Sequence, residues 1–376
     1  MQRMTIDALP LLGQGGISNY IRPFICELVR QTSSQRRIEL LLRLGFSKDR
    51  KKSFNNAIAA GFPARASVRV VSLPDIAIRL LWERGIFAAA RPESKGDLFL
   101  ATTELVPRCR KATVGYIVYD IVPLMIPEKY AINLEQYAIG LFNRLRNADF
   151  VITISETSKN DLIARFKYPE HKIFVVYPGC SPMAGQGLES VTEKPRRPYI
   201  LYMGALAPNK NVDGLIRIFS RCVKDYQRDY DLVLTGRDFC GRAFWDDLTN
   251  TLGISDRVRF CGWVSDQERG ALLIGATMLW QFSWYEGFDL PVLEAAAAGI
   301  PVLCSNRGSL TEILRNKEQE IDPDDEEGAA AKAAQALASP QILEAWKQAG
   351  LRRASAFSWE RSMGGFLRWY RNFHKS

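Results

Sequence analysis

The sequence predicts an α/β protein made of two doubly wound domains, each built on a parallel sheet. The chain has 376 residues, which is longer than one ordinary hydrophobic core supports, so two domains are expected. Short apolar runs rich in branched residues are typical of parallel strands buried on both faces. These runs alternate with segments of helical periodicity in both halves of the chain, which is the pattern of doubly wound sheets.

The first half contains the first set of alternating segments. Apolar residues at helical spacing predict a helix at 19–31, and further helices are expected at 133–147 and 156–166. Ser155 or Thr157 is expected to cap the last of these helices. The strand candidates are 38–44, 67–73, 97–101, 113–120, 149–155 and 173–179.

The second half repeats the plan after a change in composition. Residues 181–197 are small, polar and prolyl and have no periodicity, which indicates a linker between domains at 1–180 and 198–355. Ligands of such sheets bind beyond the carboxyl ends of the strands, so we expect the functional site in a cleft between the domains. The strand candidates are 199–204, 231–236, 257–264, 277–282, 301–305 and 319–323, with helices near 211–224, 241–252, 266–276, 291–298 and 309–315.

The composition fits a soluble globular protein. Hydrophobic residues make up 47% and charged residues 24% of the chain. The chain contains no run of about 18 apolar residues, so no transmembrane helix is expected. Asp7 and an early Gly-Gly interrupt the N-terminal region, so no signal peptide is expected. The seven cysteines are scattered without a CxxC pair, which predicts reduced thiols in the cytoplasm rather than a disulfide frame or a zinc site.

The formal net charge of +9 leaves three interpretations open. The surplus of Lys and Arg can be a solvated surface, or a basic face for anionic lipid headgroups or a phosphate-bearing substrate. Nucleic acid is the least favoured partner, because no recognition motif accompanies the charge.

The stretch QFSWYEGFDLPVLEAAAAGIPVLCSN, residues 281–306, combines an acidic pair with a glycine loop. Glu294 follows Glu286 by eight positions, in a helix that Pro291 can open. Gly287 removes a side chain where a ligand can approach the backbone, and the N–H groups of the loop and helix start form an anion site. We expect Glu294 in the first helical turn, where its charge suits the helix dipole. The alternative is a capping acid with tightly packed alanines and no ligand.

These residues resemble the signature of the retaining glycosyltransferases of family 4, of the bacterial polysaccharide and lipopolysaccharide type. The likeness covers most of the chain and is stronger in the second half than in the first. It is carried by QGGISNY, YDIVPLMIPEKY, ITISETSKNDL, YILYMGALAPNKN, RVRFCGWVSDQE, YEGFDLPVLEAAAAGIPV, CSNRGSLTEIL and FSWERSMGGFLRWYRNF. The resemblance implies the GT-B fold, with two Rossmann-like domains facing across a cleft. Residues 1–180 would bind the acceptor, 198–355 the nucleotide-sugar, and a helix within 356–376 would cross back to the first domain.

The resemblance also implies roles for individual residues. Glu294 would accept hydrogen bonds from the ribose hydroxyls of the donor, since a carboxylate presents only acceptors to a diol. Glu286 would face the donor sugar, and Lys210 would stabilise the diphosphate as it leaves. The other implied donor-binding residues are Gly15, Gly16, Tyr119, Gly204, Asn209, Trp263, Gly287, Phe288, Asp289 and Leu290, of which Trp263 is equally well explained as a core residue.

Two departures from the family pattern put part of the site in doubt. Where many members have a His-Asp pair, this chain has Tyr119–Asp120, and its only histidines, His171 and His374, are better explained as surface residues. Tyrosine is a poor base at neutral pH, because its unperturbed pKa is about 10. We expect Asp120 to orient the acceptor hydroxyl and Tyr119 to touch the donor sugar.

The second departure concerns the cations around the diphosphate. Where the family often has an arginine, this chain has Ala205. Lys210 would then act alone or with Arg237 or Arg307.

The function implied is retaining transfer of a hexosyl group, from GDP-mannose or a UDP-sugar, to a glycan acceptor in cell-surface polysaccharide synthesis. The acceptor would be lipid-linked, and the enzyme would be cytoplasmic and peripheral at the inner membrane, with no nucleic-acid partner, no cofactor and no metal. One alternative is a catalytically inert nucleotide-binding module of the same fold. A nucleotide-dependent oxidoreductase is less favoured, because no GxGxxG motif follows a strand.

Overall fold

The computed structural model describes residues 3–13, 15–32, 37–44, 47–50, 52, 66–73, 76–78, 80, 97–109, 111–180, 195 and 197–373. The chain forms two compact units. The first contains Met1–Ile121, Ile132–Gly179 and Ser358–Ser376, and the second contains Val122–Ala131 and Cys180–Phe357. Most of the predicted linker and His374 lie outside the described residues.

The first unit is built on a seven-stranded parallel sheet in the order β3-β2-β1-β4-β5-β6-β7. The strands are β1 (Arg3–Asp7), β2 (Arg37–Arg43), β3 (Ala66–Val71), β4 (Leu98–Ala101), β5 (Thr113–Val118), β6 (Phe150–Thr153) and β7 (Ile173–Val175). The α-helices of this unit whose bounds lie within the described residues are α1 (Gly16–Gln31), α3 (Leu134–Asn147), α4 (Glu156–Phe166) and α12 (Trp359–Phe373).

Local sequence explains where several of these helices begin and pack. Ser155 caps α4 by accepting a hydrogen bond from the Ser158 N–H at 2.9 Å, which confirms one of the two predicted caps. Helix α12 buries an aromatic face, since the rings of Phe366 and Phe150 lie 6.0 Å apart between centroids. Trp369 packs in the same way on Phe174, at 5.5 Å.

The second unit contains a six-stranded parallel sheet in the order β10-β9-β8-β11-β12-β13. The strands are β8 (Tyr199–Met203), β9 (Asp231–Thr235), β10 (Val258–Gly262), β11 (Met278–Gln281), β12 (Val302–Ser305) and β13 (Glu320–Ile321). The helices are α2 (Val122–Met125), α5 (Val212–Lys224), α6 (Arg242–Thr251), α7 (Asp266–Gly275), α8 (Leu290–Ala297), α9 (Leu310–Leu314), α10 (Glu326–Ala338) and α11 (Pro340–Ala354).

The alanines after Glu294 have a packing role that the sequence only partly predicted. Ala295 and Ala296 are buried, as expected for a helix lying on a sheet. A Cβ added to Gly350 of α11 would lie 3.3 Å from the Ala296 Cα. Helix α8 therefore approaches both the sheet and a second helix, which only small side chains allow.

Each sheet has a topological switch point, where the strand order reverses. In the second unit it lies between β8 and β11, which are paired neighbours although helices and two strands separate them in sequence. In the first unit it lies between β1 and β4. Loops that leave two such strands run in opposite directions, and the crevice between them is where open α/β sheets bind ligands.

Candidate active site

The loops that follow β8 and β11 meet at the switch point of the second unit. The Trp284 N–H donates to the Asn209 carbonyl at 3.1 Å, and the Asn211 side chain donates to the Phe282 carbonyl, also at 3.1 Å. Asn211 has a left-handed backbone, φ +52°, which asparagine tolerates better than most residues. These bonds fix the APNKN segment against the start of the glycine loop.

Lys210 and Glu286 form an ion pair where these loops meet. The Lys210 Nζ lies 2.5 Å from the Glu286 Oε1, and the exposed fractions of the two side chains are 24% and 8%. The other carboxylate oxygen, Oε2, accepts no hydrogen bond within the described part of the chain. The pair therefore presents a cation beside an acceptor oxygen that a ligand hydroxyl can use.

Asp289 contributes a buried side chain where only its backbone N–H was predicted. Its carboxylate caps α8 by accepting from the Val292 N–H at 3.1 Å. Burial and the neighbouring charge of Glu286 raise the pKa of Asp289 to about 7, against the opposite effect of Lys210. No hydrogen bond from the N–H groups of Asp289 and Leu290 is found within the described residues. Together with the Phe288 N–H, these are the N–H groups expected to bind the donor.

Glu294 is paired with a residue that the sequence did not single out. The Arg269 Nη1 donates to the Glu294 Oε2 at 2.6 Å, while the other oxygen, Oε1, accepts no hydrogen bond from the described residues. Burial raises the pKa of Glu294, and Arg269 lowers it. Glu294 is the fifth residue of α8, in the second turn, so the expectation of a first-turn position was wrong.

Trp263 follows β10 and is 61% exposed. The structure thus excludes the interpretation of Trp263 as a core residue and leaves its ring free to stack on a flat ligand. The Gly204 N–H at the end of β8 donates to the Thr235 carbonyl at 3.0 Å. The Phe288 ring packs on Phe357, with 5.9 Å between ring centroids, so it has a structural contact besides any contact with a ligand.

In the first unit, the predicted glycine pair lies at the start of α1. Gly15 has a φ of +104° and is the N-cap of the helix, a conformation that favours glycine. Among the described residues, a Cβ added to either Gly15 or Gly16 would meet no atom within 4 Å. The backbone at this helix N-terminus is therefore open to an approaching anion.

Tyr119 and Asp120 follow β5 in the first unit. The Tyr119 hydroxyl donates to the Thr102 carbonyl at 3.0 Å, and burial raises the pKa of Tyr119 well above its usual value. The hydroxyl proton is thus committed within this unit, which counts against Tyr119 as a donor to the sugar or as a base. Asp120 is half-buried, and its charge helps to raise the pKa of Tyr137.

The two arginines considered as additional cations have other partners. Arg307 binds Asp322 at 2.8 Å and Asp324 at 2.7 Å, and the Arg237 guanidinium lies 4.9 Å from the centroid of the Phe239 ring. A lysine that the sequence analysis did not single out contacts the loop that precedes Glu286. The Nζ of Lys129 lies 4.4 Å from the centroid of the Trp284 ring. Among the described residues it has no carboxylate partner.

Two negative findings concern the part of the chain that the structure describes. Within that part, no three His, Cys, Asp or Glu side chains are grouped so that they could hold a metal ion. None of the described helices has the length and apolar character needed to cross a bilayer. His171 is exposed, in a 3-10 turn. All seven cysteines are free thiols.

Residues 188–353 match the model of a family described as Glycosyl transferases group 1. The chain is 31% identical over 254 residues to O-antigen chain mannosyltransferase B of Escherichia coli, covering 64% of this chain and 66% of that protein. It is 28% identical over 233 residues to O-antigen chain mannosyltransferase RfbU of Salmonella typhimurium, covering 61% and 62%. The matched region spans a little under two thirds of each relative.

The structure of Anabaena HepE in complex with UDP and glucose is similar over 99% of this chain and 100% of that one. Its TM-score is 0.72 and its sequence identity is 16%, so this likeness shows the fold alone. Together with the parallel sheets it confirms the predicted fold class, GT-B with two Rossmann-like doubly wound domains.

Proposed function

We infer from the family match, the relatives and the fold that this chain is a glycosyltransferase of the GT-B type. We propose that it transfers a hexosyl group from a nucleotide diphosphate sugar to a glycan, with retention of the anomeric configuration. The observation that carries this proposal is the Lys210–Glu286 pair at the switch point of the second sheet. A cation and a carboxylate with an unused oxygen are what a diphosphate and a sugar hydroxyl require on either side of the bond that breaks.

In the proposed reaction the acceptor hydroxyl attacks from the same face as the leaving group. The departing phosphate oxygen takes the acceptor proton, so no protein base is strictly required. Lys210 stabilises the negative charge that develops on the diphosphate, and Glu286 holds the sugar beside it. Asp120 is proposed to orient the acceptor hydroxyl. Tyr119 is limited to accepting a hydrogen bond or to ring contact, because its hydroxyl already donates a hydrogen bond to the Thr102 carbonyl.

Glu294 is proposed to bind the pentose diol through the oxygen that Arg269 does not use. The N–H groups of the glycine loop, including those of Asp289 and Leu290, would bind sugar hydroxyls and the diphosphate. The exposed ring of Trp263 offers a stacking surface for the base.

Lys129 is proposed as a second cation for the diphosphate. Its Nζ lies over Trp284, two residues before Glu286. The same Trp284 donates its N–H to Asn209, which directly precedes Lys210. A half-buried lysine without a carboxylate partner here adds positive charge beside the ion pair, where the family pattern has lost an arginine at Ala205.

The donor is proposed to be GDP-mannose, because both relatives described above are mannosyltransferases. A UDP-sugar is the second candidate, since the similar structure of HepE contains UDP and glucose. We further propose a lipid-linked glycan acceptor and a cytoplasmic enzyme that binds the inner-membrane surface, supported by the net charge of +9. Neither a metal ion nor a cofactor is needed in this scheme, because lysine supplies the positive charge.

A screen of nucleotide-sugars against glycan acceptors, read by mass spectrometry, tests the proposal. We expect transfer from one mannosyl or glucosyl donor, resistance to EDTA, and NMR of the product showing the donor's anomeric configuration. Binding of a nucleoside diphosphate without transfer or donor hydrolysis would favour the inert module. Binding of a dinucleotide instead would favour the oxidoreductase.

A further inference from the structure

We propose that Gly308 is a positioning residue that fixes the backbone of Glu286 and so sets the distance of its carboxylate from Lys210. This inference rests on the proposed function for its catalytic consequence, but the contact itself is independent of it. Gly308 lies in the turn between β12 and α9, 22 residues after Glu286. It belongs to the CSNRGSLTEIL segment quoted above, but no role was assigned to it there.

The conformation of Gly308 favours glycine, and its surroundings leave no room for a side chain. Its φ is +56°, in the left-handed region. A Cβ at this position would lie 2.6 Å from the Glu286 carbonyl oxygen and 2.8 Å from the Glu286 nitrogen. These are backbone atoms, so no flexible side chain can move to relieve the contact. A side chain at position 308 therefore forces a shift of the Glu286 peptide, of the turn that holds residue 308, or of both.

Hydrogen bonds hold the two segments against each other around this contact. The Ser309 N–H donates to the Glu286 carbonyl at 3.0 Å, and the Ser305 hydroxyl donates to the Ser283 carbonyl at 2.6 Å. On the other side, Trp284 is bound to the APNKN segment as described above. Glu286 is therefore clamped between the turn that contains Gly308 and the segment that contains Lys210.

The position of Glu286 affects catalysis because this residue is proposed to hold the sugar beside a leaving group that Lys210 stabilises. A displacement of about 1 Å in such a group can cost on the order of a hundredfold in rate. Donor binding depends more on Glu294 and on backbone N–H groups, so a shift of Glu286 should lower kcat more than it raises KM.

Gly299 provides a matched control within the same unit. Its φ is +72°, also left-handed, but the atoms nearest to an added Cβ would be side-chain carbons of Lys347 and Leu351, no closer than 3.5 Å. Asparagine tolerates a left-handed backbone better than other non-glycine residues. The pair Gly308→Asn and Gly299→Asn thus separates the contact with Glu286 from the backbone strain, and Gly308→Ala and Gly299→Ala form a second pair. Circular dichroism and thermal melting verify that each variant is folded.

Two measurements on these variants test the inference. In donor turnover, we expect each Gly308 variant to lose about 10- to 100-fold in kcat, with KM changed less than about threefold and the Gly299 variants close to wild type. In a pulse of acetic anhydride, mass spectrometry of the Lys210 peptide should show faster acetylation in the Gly308 variants only, because Lys210 loses its carboxylate partner.

The second measurement needs no transferase activity, so it tests the clamp even if the wild type transfers no sugar. Equal acetylation of Lys210 in Gly308→Asn and Gly299→Asn would overturn the inference. So would equal kcat in these two variants of an active enzyme.

Discussion

The Nζ of Lys210 lies 2.5 Å from the Oε1 of Glu286, although 76 positions separate the two residues in sequence. They meet because β8 and β11 are neighbours in the sheet, and each strand ends in a loop that runs to the switch point. Neither partner is fully exposed, so each side chain compensates for the desolvation of the other.

This pair predicts opposite effects of single and double substitutions on stability. Lys210→Met should leave Glu286 partly buried and uncompensated, and should lower the free energy of unfolding by about 1–3 kcal/mol. The double variant Lys210→Met/Glu286→Gln should regain most of that loss while remaining inactive. Urea unfolding of the four proteins in a double-mutant cycle measures the coupling. A coupling near zero would contradict the ion pair.

Arg269 should control the pH dependence of nucleotide binding. The binding form of Glu294 is its carboxylate, and burial already raises its pKa. Removing the cation in Arg269→Met should raise the pKa of Glu294 further. As the pH is lowered, nucleotide binding should therefore weaken at a higher pH in this variant than in wild type. We expect about tenfold weaker binding of the nucleoside diphosphate at pH 6 and a smaller loss at pH 8.5. Calorimetric titration at several pH values measures this effect.

Arg221→Met is the control for Arg269→Met, because Arg221 forms an exposed ion pair with Asp225 at the end of α5. A pH profile that is the same in Arg269→Met and wild type would show that Arg269 does not act through Glu294.

Asp289 should make the protein less stable as pH rises towards neutrality. Its pKa in the folded protein is about 7, whereas an unfolded aspartate titrates near 3.9. Between about pH 4 and 7 the folded state therefore holds a proton that the unfolded chain has lost, so the free energy of unfolding falls as pH rises.

Asp289→Asn keeps an acceptor for the Val292 N–H and removes the titration. At pH 8 we expect the free energy of unfolding of this variant to exceed that of wild type by about 1–3 kcal/mol, with little difference near pH 4. Denaturant unfolding across this range is the measurement. Asp325→Asn, which changes the exposed cap of α10, is the control. Parallel profiles for Asp289→Asn and wild type would contradict the raised pKa.

Lys129 should contribute to binding of the diphosphate but not of the nucleoside. Lys129→Met removes the positive charge beside Trp284, and we expect about three- to tenfold weaker binding of the nucleoside diphosphate. Binding of the nucleoside alone should not change. Calorimetry with both ligands, and with Lys224→Met as an exposed control, decides whether Lys129 faces the phosphates.

Trp263 should affect ligand binding much more than stability. Since 61% of the residue is exposed, Trp263→Ala should shift Tm by no more than about 1 °C. Loss of stacking should weaken nucleotide binding by roughly tenfold, within the range of about 1–3 kcal/mol known for base–aromatic stacks. Ile274→Ala removes an exposed apolar side chain on α7 and serves as the control. An unchanged Kd in Trp263→Ala would place the base elsewhere.

Strand and helix positions in both units were largely predictable, because buried parallel strands are nearly continuous apolar runs. Strand β1, at the centre of the first sheet, was missed, since Thr5 and Asp7 interrupt its apolar run while lying buried in the structure. Helices α10 and α11 were also not predicted, although Asp325 caps α10. Alanine-rich sequence gives little amphipathic contrast to indicate a helix.

The sequence by itself determined the alternation of strands and helices, the acidic pair around the glycine loop and the lysine of APNKN. These depend on local periodicity and on short motifs, which are written along the chain. Only the tertiary structure decided which residues distant in sequence are neighbours. It pairs Glu286 with Lys210 and Glu294 with Arg269, and it places Lys129 over Trp284 and Gly308 against the Glu286 backbone. Strand order in a parallel sheet brings distant loops to one edge, and no local pattern encodes that order.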